Sequence, residues 1–67
     1  MNINRIKVVL VEKGRKNKWL AKELGKSEST ISNWCTNDSQ PSLETLTHIA
    51  KVLEVDIREL LISTMPT

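Results

Sequence analysis

Residues 17–33 read NKWLAKELGKSESTISN, and the rest of the chain is arranged around this stretch. Leu20, Ala21 and Leu24 recur at helical spacing as an inward stripe, which predicts a helix over about 17–24. Gly25 follows the stripe, where a helix most often stops through a left-handed residue that costs glycine little. Ser27 then opens a second helix over about 28–35, its hydroxyl placed to accept from a free N–H of the first turn. Ile31 and Trp34, three residues apart, point inward. Glu28, Ser29, Ser32 and Asn33 remain on the open side.

Sixty-seven residues make one small domain, residues 1–67. A chain this size buries only about 60% of its unfolded surface, so dimerisation would help its stability. The single cysteine, Cys35, permits no internal disulfide and fits a reducing compartment. The longest apolar run, Val8 to Val11, is far too short to span a bilayer, and the N-terminus lacks the pattern of a signal peptide. A cytoplasmic protein without a membrane partner is expected.

The net charge of +2 hides an asymmetry. Residues 1–26 carry eight basic side chains against two acidic ones, whereas residues 27–67 carry two against six. A basic half beside residues 17–33 suits attraction to a polyanion, although lysines also solvate ordinary helix surfaces.

Upstream, Asn2 or Asn4 can cap a first helix over about 3–13, with Ile6, Val9 and Leu10 inward and Val8 and Val11 at the surface. IKVVLV alone would also suit a strand, but no partner strand is evident. Gly14 ends that helix, and Asn17 is either the cap of the next or its first residue. Trp19 is read as partly buried against the first helix. Downstream, CTNDSQPS is a loop closed by a proline. Ser42 caps a fourth helix over about 43–53 with Leu43, Leu46, Ile49, Ala50 and Leu53 as its inner stripe. Asp56 and Glu59 have the spacing of a capping box, opening a short fifth helix over about 57–62. Leu60, Leu61, Ile62 and Met65 then supply more apolar surface than one small core needs.

Two short helices, a glycine turn and a polar outer face make a helix-turn-helix, the arrangement that offers its second helix to a DNA major groove. The whole chain resembles the phage repressor and Cro proteins of the XRE family. The matching residues are Gly14, Leu20-Ala21-x-x-Leu24-Gly25, Ser27-x-Ser29-Thr30-Ile31-Ser32-x-Trp34, Pro41-Ser42-Leu43-Glu44-Thr45-Leu46, Ile49-Ala50-x-x-Leu53 and Leu60-Leu61. The resemblance implies an all-α, compact five-helix domain that binds a double-stranded DNA operator as a homodimer and regulates transcription, usually as a repressor. It places base contacts at Glu28, Ser29, Ser32 and Asn33, and phosphate contacts at Asn17, Lys18, Ser27 and Thr30. Asn33 can pair with adenine N6 and N7, and Glu28 can accept from cytosine N4. Glu28 also suits the positive end of a helix on structural grounds alone.

The sequence departs from the family pattern at three places. Asn17 stands where glutamine is common, and Lys16 where a capping Thr or Ser is common. The loop after the third helix, Thr36 to Gln40, has no base and one acid, which leaves phosphate contact to backbone N–H groups and to Asn37, Ser39, Gln40 and Ser42. A shallower salt dependence is expected than for a relative with a basic loop. Lastly, Leu10 and Cys35 occupy positions that many members fill with an arginine and a glutamate. Replacing a partly buried ion pair as a unit is tolerated far better than stranding one charge, so Cys35 is expected to pack against Leu10 as a small hydrophobe.

Catalysis finds no support. His48 is the only histidine, no second His or Cys stands at ligand spacing, and no nucleophile triad or glycine-rich phosphate loop occurs. No cofactor or metal is expected. The rival to a DNA-binding regulator is an antitoxin-like module that masks a partner toxin through an apolar surface. The polar face of 28–33 favours DNA. The apolar C-terminal end, Leu60, Leu61, Ile62 and Met65, is assigned to self-association.

Overall fold

The computed structural model describes residues 2–65. Four α-helices follow one another: α1 (Ile6–Glu12), α2 (Asn17–Leu24), α3 (Glu28–Cys35) and α4 (Leu43–Leu53). Among the described residues one 3-10 turn, Ile57–Leu60, follows α4. Ile6, Val9 and Leu10 from α1, Leu20 and Ala21 from α2, Ile31 and Trp34 from α3, and Leu46, Ile49, Ala50 and Leu53 from α4 meet in one core. Leu24, Cys35, Val52 and Trp19 pack partly against it.

The turns follow from local chemistry. Gly14 and Gly25 take φ of +67° and +66°, the left-handed region where a Cβ is strained, and each ends the helix before it. Ser27 and Ser42 cap α3 and α4, each hydroxyl accepting a backbone N–H three residues on at 3.1 Å. Asp56 and Glu59 form the reciprocal capping box at the 3-10 turn. Arg58, paired with Asp56 at 3.1 Å, holds that exposed carboxyl below its ordinary range through its hydrogen bonds.

Four expectations change. The first helix begins at Ile6 rather than near residue 3, because the chain there is extended and pairs with the C-terminal end. Arg5 N–H donates to the Leu60 carbonyl at 2.8 Å and Ile62 N–H to the Ile3 carbonyl at 2.9 Å, flanking an antiparallel bridge between Asn4 and Leu61. That pairing also limits the fifth element to one 3-10 turn ending at Leu60, so the five-helix count becomes four helices and a turn. Leu60 leaves the proposed apolar surface, since it is fully buried in the core. Leu43, at the first residue of α4, stays 76% exposed instead of joining the inner stripe.

Asn4 is the one buried polar residue among those described. Its Oδ1 accepts from Ile6 N–H at 3.1 Å, so it does support the start of α1, from a position before the cap. Its Nδ2 donates to the Trp34 carbonyl at 2.8 Å and to Gln40 Oε1 at 2.7 Å. Asn37, itself left-handed at φ 64°, accepts through Oδ1 from Ile3 and Asn4 N–H at 2.8 and 2.9 Å and donates from Nδ2 to the Asn4 carbonyl. This clasp ties both chain ends to the last turn of α3.

Candidate nucleic-acid interface

The orientation of α3 follows from its own sequence. Counting about 100° per residue from Glu28, Ile31 and Trp34 fall near 300° and 240°, while Glu28, Ser32, Ser29 and Asn33 fall between about 0° and 140°. Burial of Ile31 and Trp34 in the core therefore turns the other four outward, and all four are exposed. Among the described residues none of these four side chains has a hydrogen-bond partner within the protein. The face offers a carboxylate acceptor, two hydroxyls and one amide with both donor and acceptor.

The first turn of α2 lies against the end of α3. Asn17 is the first helical residue, not the cap; Lys16 holds the cap position without a side-chain bond, so no side chain satisfies the leading N–H groups of α2. Asn17 Oδ1 sits 3.6 Å from Cys35 Sγ, which can donate to it, and 3.5 Å from Lys7 Nζ. Cys35 is half-buried against the core that contains Leu10, and its burial pushes the thiol above its ordinary range, with the Lys7 charge pulling weakly the other way. The polar contact to Asn17 was not legible in the sequence.

The remaining expected phosphate ligands divide into two groups. Lys18 and Ser39 are exposed, with no side-chain partner among the described residues. Ser27 and Thr30 share a hydroxyl bond of 2.9 Å on the exposed rim of α3, and Ser42 does the same with Thr45. Asn37 and Gln40 differ, because their side chains are engaged in the clasp: Gln40 Oε1 accepts from Asn4 and its Nε2 donates to Asn37 Oδ1 at 3.0 Å. A side-chain phosphate contact from either would have to break bonds that hold the loop.

A second surface feature was also missed. Gly14, Arg15, Lys16, Lys18, Trp19 and Lys22 line an open groove of about 390 Å³ along the α1–α2 connection and the outer side of α2. The Arg15 guanidinium stacks over the Trp19 ring, 4.5 Å from its centroid. The basic run around Trp19 was its only signal in the sequence. No described helix is long and apolar enough to cross a membrane.

The helix-turn-helix family profile matches residues 6–60, most of the chain. A crystal structure of a candidate DNA-binding protein from Bacteroides fragilis is similar over 92% of this chain and 100% of that one, with 60% identity and a TM-score of 0.89. No curated protein matches.

Proposed function

The chain belongs to the XRE-type helix-turn-helix family, and from that premise we propose that it is a sequence-specific regulator of transcription, acting as a repressor on a double-stranded DNA operator. The observation that carries this is the face of α3: Glu28, Ser29, Ser32 and Asn33 are exposed together and unengaged within the protein, while Ile31 and Trp34 anchor the helix. In the complex, α3 enters the major groove, Asn33 reads adenine, Glu28 accepts from cytosine, and the serines adjust to either kind of edge. In this reading Asn17, Lys18, Ser27, Thr30, Ser39 and Ser42 hold phosphates.

The operator is read by a homodimer. Ile3, Leu61 and Ile62 are 47%, 37% and 37% exposed on the paired chain ends, with Met65 beyond them at 75%. Joined through these residues, two copies would present α3 to half-sites about one helical turn, roughly 34 Å, apart. An antitoxin-like masking of a partner protein would use the same apolar ends, but gives the polar face of α3 no role.

Selection of bound duplexes from a random DNA pool tests this, with Glu28→Ala and Asn33→Ala beside the wild type. A near-palindromic sequence should be enriched, with base preference relaxed at separate positions in the two variants. Folded wild-type protein that enriches nothing would overturn the assignment.

A further inference from the structure

Val8 and Val11 stand on the side of α1 turned away from the core, 46% and 65% exposed. Counting about 100° per residue, Ile6, Val9 and Leu10 share the buried side and the two valines fall opposite them, with Lys7 and Glu12 flanking the pair on either side. Valine suits a bare helix surface poorly, because its branched side chain loses rotamer freedom there and leaves apolar area in water. Nothing among the described residues covers them enough to recover either cost.

The flanking charges indicate what does cover them. Lys7, Val8, Val11 and Glu12 have the spacing of positions g, a, d and e of one heptad, while Ile6, Val9 and Leu10, at f, b and c, form the face this chain buries in its own core. When two such helices lie side by side in the same direction, a meets a, d meets d, and each g faces the e of its neighbour five residues on. That arrangement sets Lys7 of each copy against Glu12 of the other, around two layers of valine. An antiparallel arrangement would set lysine against lysine and glutamate against glutamate. Glu12 has no ion-pair partner among the described residues. Lys7 makes one contact, from Nζ to Asn17 Oδ1 at 3.5 Å, at the limit of a hydrogen bond.

We infer that α1 packs in parallel on α1 of a second copy of this chain, through Val8 and Val11 with a Lys7–Glu12 pair on each side. This self-association surface uses other residues than the apolar chain ends and does not depend on DNA reading. One heptad buries far less than the roughly 1,200 Å² at the low end of stable interfaces, so the pairing is weak alone and forms where copies are already held close.

Sedimentation equilibrium from about 1 μM to about 1 mM tests this on wild type, Val8→Ala/Val11→Ala, Glu12→Lys and Lys7→Glu/Glu12→Lys. Wild-type mass should still be rising at the upper end, and the double alanine variant should raise the dissociation constant of that step at least about 10-fold. Glu12→Lys should weaken the step, and reversing both charges should restore it. Urea unfolding of the double alanine variant should be unchanged or shifted to higher denaturant, since alanine favours the helix. A marked loss of stability would place the valines in the chain's own packing and overturn the inference. In a Cys35→Ser background, Val8→Cys alone and Val11→Cys alone should each give a disulfide-linked dimer on mild oxidation, whereas an antiparallel pair would link only a mixture of the two. Linkage in the mixture alone would overturn the parallel pairing. Constant wild-type mass with no disulfide from either variant would overturn the surface altogether. Neither result touches operator reading, which the DNA selection tests separately.

Discussion

Asn4→Ala should destabilise the domain by roughly 3 kcal/mol. The side chain is 4% exposed and makes three bonds: to the Trp34 carbonyl at 2.8 Å, to Gln40 Oε1 at 2.7 Å and from Ile6 N–H at 3.1 Å. Alanine removes all three, with unequal consequences. Gln40 is exposed and rehydrates, so that loss is about 0.5–1 kcal/mol. The Trp34 carbonyl keeps a second partner in Asn37 N–H, which limits its loss to about 1 kcal/mol. Ile6 N–H is buried and keeps none, at about 1–3 kcal/mol. An ordinary domain has about 0.05–0.15 kcal/mol per residue, roughly 3–10 kcal/mol for this chain, so the variant would be close to unfolded at the lower bound. Urea unfolding followed by tryptophan fluorescence measures the difference. Gln40→Ala, which removes the Gln40 bonds to Asn4 and Asn37 but leaves the Trp34 and Ile6 bonds of Asn4 in place, should cost less, about 1 kcal/mol. An Asn4→Ala variant within about 1 kcal/mol of wild type at unchanged m-value would refute the reasoning.

Four further outcomes follow from single residues. Asn37→Gly and Asn37→Ala both lose the clasp, but only alanine adds the strain of φ 64°, so glycine should be the more stable by about 1 kcal/mol in the same urea titration. Cys35 should react with a thiol reagent at pH 8 more slowly in the folded protein than in urea, because burial raises its pKa and leaves less thiolate; equal rates would mean that the thiol is open. Leu60→Ala should cost about 2–5 kcal/mol by leaving a cavity in the core. Met65→Ala should leave unfolding of the isolated subunit unchanged within about 0.5 kcal/mol and weaken self-association in sedimentation equilibrium.

The helical frame was legible because its signals are local. Leu20, Ala21, Ile31 and Trp34 stand at helical spacing, and Gly25, Ser27 and Ser42 stop or start helices through groups within three residues of themselves. The outward face of α3 was legible for the same reason: once Ile31 and Trp34 are inside, Glu28, Ser29, Ser32 and Asn33 have no other direction. The clasp was not legible. Asn4 and Asn37 lie 33 residues apart, and nothing local distinguishes an asparagine that caps a helix from one that bridges three segments. Leu60 was misread because its spacing with Leu61 and Ile62 suggests surplus apolar surface, whereas the extended pairing with residues 3–5 sends Leu60 inward and its two neighbours toward solvent. Leu43 was misread because periodicity reports a face and not whether another element covers it. For the α2 groove the cations were visible, but their alignment beside a half-buried tryptophan required the packing of α2.

The clasp bears on function through where its ends lie. Ile62 is hydrogen-bonded to Ile3, Ile3 and Asn4 to Asn37, and Asn4 to the carbonyl of Trp34 in the last turn of α3. In the proposed homodimer the residues that meet the second copy are thus joined to the base-reading helix by a short chain of backbone and amide bonds, with no flexible linker between. Such a connection fixes the distance and angle between two α3 helices, and with them the half-site spacing that both can enter together. A dimer loosened at this point should still read each half-site, since Glu28, Ser29, Ser32 and Asn33 are untouched, but should discriminate less against altered spacing. Asn37→Gly, which removes clasp bonds without adding backbone strain, is the suitable variant. Insertion or deletion of one base pair between half-sites should weaken wild-type binding more than variant binding. Equal losses would show that the dimer angle is set elsewhere.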